Sequence, residues 1–157
     1  MTEDDGQQPR SAAQVGRERA EADGGSFAQV VECGLRWDIG APLPTILQWE
    51  HETHLFFYLH DQGGVGRVIF EDCRATSFGP PGEDGHALDG RGWEAYRPLL
   101  VQRSPWLTRT CGVTTELFHF VFPFHDTTFE CIAHGFTSSR MPVSLAEAVQ
   151  ATIDGWN

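Results

Sequence analysis

The chain has 157 residues and a formal net charge of −11, with 22 acids against 11 cations, every one of them arginine. That length suits one domain with a real core and is short for two. Such a surplus of negative charge argues against non-specific binding to nucleic acid or an anionic membrane, since both are negative too; it suits solubility or a basic partner.

Residues 1–25 hold no aromatic residue and almost no large aliphatic one. A segment of that kind cannot bury enough surface to offset its ordering entropy, so it is expected to be a disordered acidic tail. Its six acids and three arginines carry about −3 of the charge, which leaves about −8 on residues 26–157, the expected single domain. The start of the chain lacks an apolar signal region, and no apolar run approaches the length of a membrane span, so a cytoplasmic location is expected. Cys33, Cys73, Cys111 and Cys131 are far apart in sequence and form no CxxC pair. They are read as small core residues rather than a zinc ribbon.

From Ser26 the pattern turns strand-like. "SFAQVVEC" is a first strand. In "DIGAPLPTIL" the prolines at 42 and 44 argue against a long helix or a central strand. "QWEHETHLFFYLH" and "GRVIFEDCRATSF" are two runs rich in β-formers, with "DQGGVG" as a hairpin connection between them. Residues 79–92, "GPPGEDGHALDGRG", form a long loop of the kind that is often functional or mobile. The stretch from Leu107 to Thr115 reads as a connection. "TTELFHFVF" and "TTFECIAHGF" make a second strand pair. Near the end, Ser144 and Glu147 have the spacing of a capping box, and Leu145, Ala148, Val149 and either Thr152 or Ile153 give one apolar stripe. The fold class is α+β: an antiparallel sheet, curved or barrel-like, with a C-terminal helix.

The segment His119–His134 concentrates the chemistry. With His125 and Asp126 as a two-residue tip, Phe122 pairs with Phe129 and Phe120 with Cys131. That register gathers the phenylalanines on one dry face. A slip of one residue would drive Glu130 among them at a cost of about several kcal/mol. The other face then carries His119, Glu130 and His134 near one another. Two readings stand side by side: proton transfer or metal binding by this trio, or a carboxylate that merely orients one histidine. His86 lies in the long loop, as a solvent-exposed side chain or as part of a lid over a pocket. The "HETH" at 51–54 lacks the spacing of a zinc helix. No metal or cofactor is specified by these spacings.

The order "WDIGAPLPTIL … LFFYL", "VIFEDC … FGPPGEDGHAL … GRGWEAY" and "FHDTTFECIAHGF" resembles an uncharacterised family of small bacterial proteins, over roughly residues 37–137. The resemblance implies a stand-alone bacterial α+β domain and brings no catalytic residues with it. The chain departs from that pattern between Leu107 and Thr115, where its connection is short. The resulting expectation is a small acidic binding or accessory protein, immunity-like in one version, that engages a basic protein. The rival is a small enzyme that uses His119, Glu130, His134 and His86 on a small molecule in a sheet-lined pocket. Oligomeric state is not legible in the chain.

Overall fold

The computed structural model describes residues 24–38, 40–41, 43–60, 63–80 and 96–156. The tail through residue 23 and the segment 81–95, which holds His86 and most of the expected long loop, lie outside the described residues. The strands are β1 (Phe27–Val30), β2 (Thr45–Trp49), β3 (Glu52–Tyr58), β4 (Val65–Glu71), β5 (Ala75–Gly79), β6 (Leu99–Gln102), β7 (Phe118–Pro123), β8 (Thr128–Ala133) and β9 (Gly135–Met141). Helix α1 (Pro105–Cys111) falls between β6 and β7, and helix α2 (Leu145–Asp154) follows β9.

The strands form two antiparallel sheets, ordered β1-β6-β7-β8-β5 and β2-β3-β4-β9. The fold is α+β, as expected, but the strands divide between two packed sheets, and no pairing among the described residues closes them into a barrel. Alternation explains the packing. Leu55, Phe57, Val68 and Phe70 of the four-stranded sheet meet Phe120, Phe122, Phe129, Cys131 and Ala133 of the five-stranded one. Trp37 seals one end of this core against Phe57, Phe122 and Phe124, and its indole N–H donates to the Pro123 carbonyl at 3.1 Å. Each large side chain so buried contributes about 1.5–3 kcal/mol.

Two apolar runs that look continuous in sequence are broken in space. The run around Gln48–His60 turns at Glu50 and His51 and becomes the β2–β3 hairpin, with Glu50 at φ 46°. The run around Gly66–Phe78 leaves one sheet at Glu71 and enters the other at Ala75, with Asp72 at φ 48° in between. Beside it, β8 passes to β9 through His134. The Arg74 N–H donates to the Ile132 carbonyl and the His134 N–H to the Glu71 carbonyl, which stitches the two crossings together. The β3–β4 connection is the glycine hairpin that the sequence suggests. Gly64 there has φ 91°, and a Cβ would lie 2.7 Å from the Met141 carbonyl oxygen.

Gly66 makes room for a ring: a Cβ there would lie 2.5 Å from Phe57, its cross-strand neighbour. Gly66→Ala is therefore expected to cost about 1–3 kcal/mol by overpacking. Urea denaturation checks this, and a change within experimental error would show that Phe57 can move aside.

Helix α2 lies on the outer face of the four-stranded sheet. Leu145, Ala148 and Val149 pack with Leu47, Phe56, Val65 and Met141. Thr152, not Ile153, completes the buried stripe, and its hydroxyl donates to the Ala148 carbonyl. The capping box is formed. The Ser144 N–H and O–H donate to Glu147 Oε2, and the Glu147 N–H donates to Ser144 Oγ. Those donors hold the Glu147 carboxyl below its ordinary range. A depressed folded value means that the charged cap's contribution is complete above the ordinary carboxylate range and is lost as pH falls through the folded value. Ser144→Ala should cost about 1 kcal/mol at neutral pH. The melting-temperature gap between wild type and Glu147→Ala should close as the pH is lowered through that range. A gap that stays constant would show that the carboxylate is not the capping species.

Among the described residues, no helix is long and apolar enough to cross a membrane.

Candidate functional site

The β7–β8 hairpin has the register derived from its residues. Phe118 faces Ala133, His119 faces Ile132, Phe120 faces Cys131 and Phe122 faces Phe129. The Phe124 N–H donates to the Thr127 carbonyl at 2.8 Å and closes the tip over His125 and Asp126. The register sends Cys131 among the phenylalanines and turns His119 and Glu130 to the outer face.

His119 and Glu130 meet there, with Nε2 2.8 Å from Glu130 Oε2. The outer face is covered, so both are buried, His119 completely. The cover includes helix α1, whose Trp106 sets its ring edge-on to His119 at 4.9 Å. The helix exists because Ser104 and Pro105 supply an N-cap and a first residue that needs no N–H partner. Ser104 Oγ accepts the Leu107 N–H at 3.1 Å and lies 2.8 Å from His119 Nδ1. A carboxylate only accepts, so Nε2 carries a proton toward Glu130, and in the neutral imidazole Nδ1 accepts from the Ser104 hydroxyl.

The result is a hydroxyl–imidazole–carboxylate chain. In chemical terms it has the parts of an activated nucleophile: a hydroxyl, a base and an orienting acid. In physical terms it is a closed strut. Ser104 is 2% exposed. Both ring nitrogens are occupied, and the hydroxyl is engaged by the helix. Ser104 also forms part of the wall of a cavity of about 210 Å³ between α1 and the start of β7, together with Leu107, Thr108, Thr115, Leu117 and Phe118.

His134 does not join this pair. It lies at the β8–β9 crossing, with Nε2 2.9 Å from Asp72 Oδ2. Asp72 also receives Arg74 at 2.7 Å, and His51 approaches it at 4.0 Å. The two histidines of "HETH" separate, His51 exposed in the turn and His54 buried beneath the end of α2. His86 lies outside the described residues. No three His, Cys, Asp or Glu side chains among the described residues are placed to hold a metal ion.

Two features were not anticipated from sequence. Tyr96, at φ 62°, sets its hydroxyl 3.0 Å from His125 Nδ1 and separates two clefts of about 450 and 500 Å³. One is lined by Arg36, Trp37, His60 and Arg97, the other by Asp38, Phe124, His125 and Asp126. The other feature is a thiol pair. The neighbouring Cys131, more than any other group, brings the Cys73 thiol down to about 7 against the opposing effect of burial. Burial, then Cys73 itself, pushes Cys131 well above the ordinary thiol range. All four cysteines are free; Cys33, Cys73 and Cys131 are buried and Cys111 is half-buried.

No protein-family model, curated protein or solved structure matches the chain.

Proposed function

We propose that this is a small binding or accessory protein of a bacterial cytoplasm that engages a basic protein, as an immunity protein engages a toxin. One observation carries the reading: acids outnumber arginines in residues 26–157, and among the described acids only Glu130 is buried. About −8 belongs to residues 26–157, and acids such as Glu32 and Asp126 have side chains about four-fifths exposed. Exposed charge of one sign steers a partner of the other sign and repels wrong ones. The resemblance to small bacterial proteins supports the setting, and the free cysteines suit a reducing compartment. The test uses immobilised full-length protein and extract of the native host. A basic protein should be retained and released by salt, and the two purified components should form a complex whose affinity falls with ionic strength. Recovery of only neutral or acidic partners, or a complex indifferent to salt, would overturn the proposal.

A second reading rests on the Ser104–His119–Glu130 chain. If the cavity beside α1 opens to a small ester, Ser104 could attack its acyl carbon with His119 taking the hydroxyl proton and passing it to the departing alcohol, and water would then release the acyl group from the serine. A fluorophosphonate probe decides between the two. Labelling of Ser104, lost in His119→Gln, would favour the enzyme. A serine that stays unlabelled while the protein is folded supports the binding protein.

A further inference from the structure

The far end of the four-stranded sheet carries an aromatic surface that nothing in the core explains. Trp49 closes β2, directly across from Glu52. Trp156 follows α2 and stacks on Trp49, with centroids 5.8 Å apart and planes within 17°. A hydrophobic ring that served only the core would be buried, yet Trp49 is 52% exposed and large among the exposed apolar residues. About half of its surface is thus left to solvent. Trp156 in turn sits edge-on to His54 at 5.2 Å. His54 spends Nε2 on Glu52 at 3.1 Å, while its Nδ1 is buried without a hydrogen-bond partner.

The charge around the stack has one dominant sign. Glu50 and Glu52 flank the β2–β3 turn, and Asp154 ends α2 two residues before Trp156; all three are exposed. His51 shares the turn. An aromatic centre within a charged rim is the anatomy of an interface hot spot.

We propose that the Trp49–Trp156 stack is the docking surface for an arginine-bearing segment of a basic protein; this rests on the proposed binding function and locates it. A guanidinium lies flat on an open indole face and forms paired hydrogen bonds with nearby carboxylates, so one arginine can use Trp49 together with Glu50 or Glu52. Lysine offers no planar group to stack. A second copy of this chain is disfavoured, because it would bring another domain of about −8 against the same acidic rim.

The experiment titrates full-length protein with an oligo-arginine peptide, using an oligo-lysine peptide of equal length as control, at low and at physiological salt. Backbone amide and indole N–H resonances report the site. Shifts should cluster at residues 49–54 and 150–156, including both indole signals. Oligo-arginine should bind more tightly than oligo-lysine. Trp49→Ala should weaken oligo-arginine binding by about tenfold or more. The double variant Glu50→Arg, Asp154→Arg should do the same with the stack intact, which covers the case in which Trp49→Ala unfolds the turn. As a control, Asp126→Arg should change the affinity by less than about twofold. Tight binding with shifts elsewhere, for instance at the cleft beside Asp38 and Asp126, would overturn this surface while leaving the binding function standing. Absence of binding to either peptide would overturn the surface, and failure to recover a basic partner from host extract would remove the function separately. Concentration-dependent dimerisation abolished by Trp49→Ala would assign the stack to a second copy instead and so overturn the proposal.

Discussion

Replacing His119 by alanine is expected to lower the free energy of unfolding by about 3–5 kcal/mol, the usual cost of removing one partner from a buried ion pair or polar network. For a domain of this size that is about 10–20 °C in melting temperature. The imidazole has no exposed surface and joins the cap of α1 to the centre of β8. Without it, the Glu130 carboxylate is left buried with no donor from His119, and Ser104 loses its acceptor. Ser104→Ala should be milder, about 1–2 kcal/mol, since it removes a cap and one hydrogen bond but leaves the His119–Glu130 pair. The informative variant is the double replacement His119→Leu, Glu130→Leu. Apolar side chains of similar volume need no partners, so most of the loss should be recovered. Stability of His119→Ala within about 1 kcal/mol of wild type would mean that water reaches Glu130 and that the strut is open.

That strut shows which parts of the molecule are legible in sequence. The β7–β8 register is legible because one face of the hairpin is all rings and one residue of slip would bury a charge among them. Which strand faces are covered is not, because burial of the outer face depends on α1 from elsewhere in the chain. The signal for α1 is nevertheless present: Ser104 followed by Pro105 is an N-cap and N1 pair. Read as a plain connection, residues 107–115 conceal it. The β2–β3 turn hides for another reason. It places Glu50 in left-handed backbone, where glycine or asparagine would have marked a turn. The "FEDCRATSF" run conceals a change of sheet in the same way, at Asp72. β9 is hard to see because its residues Thr137, Ser138 and Arg140 are polar and only Phe136 reaches the core cluster.

For the candidate site, His119 and Glu130 are legible as neighbours from alternation alone. The separation of His134 is not. It follows from the chain leaving the sheet at that residue, which hands the imidazole to Asp72 from a different crossing. The Tyr96–His125 contact joins residues 29 apart in sequence, and no local pattern encodes it.

Phe70→Ala should cost as much as any variant of the core, about 3–5 kcal/mol. The reason is its position between the sheets. It belongs to β4 of the four-stranded sheet, yet it touches Phe120, Phe122 and Phe129 of the other sheet, as well as Phe136 beside it, with centroids between 5.4 and 6.1 Å. Edge-on and tilted contacts of this kind add to the area term because ring edges meet ring faces. Few residues could fill the void, since the neighbours are themselves rings fixed by their strands. Phe70→Leu keeps most of the volume and should cost less, by an amount that reports the ring contacts rather than the cavity. Urea unfolding followed by tryptophan fluorescence measures both. The comparison with Phe118→Ala sharpens the test. That ring sits on the same face of β7 as Phe120, 6.1 Å from it, but is 39% exposed. Its loss should therefore be felt much less. Equal penalties for Phe70→Ala and Phe118→Ala would mean that the two sheets do not pack through a shared aromatic seam, and the account of the core would fail at its centre.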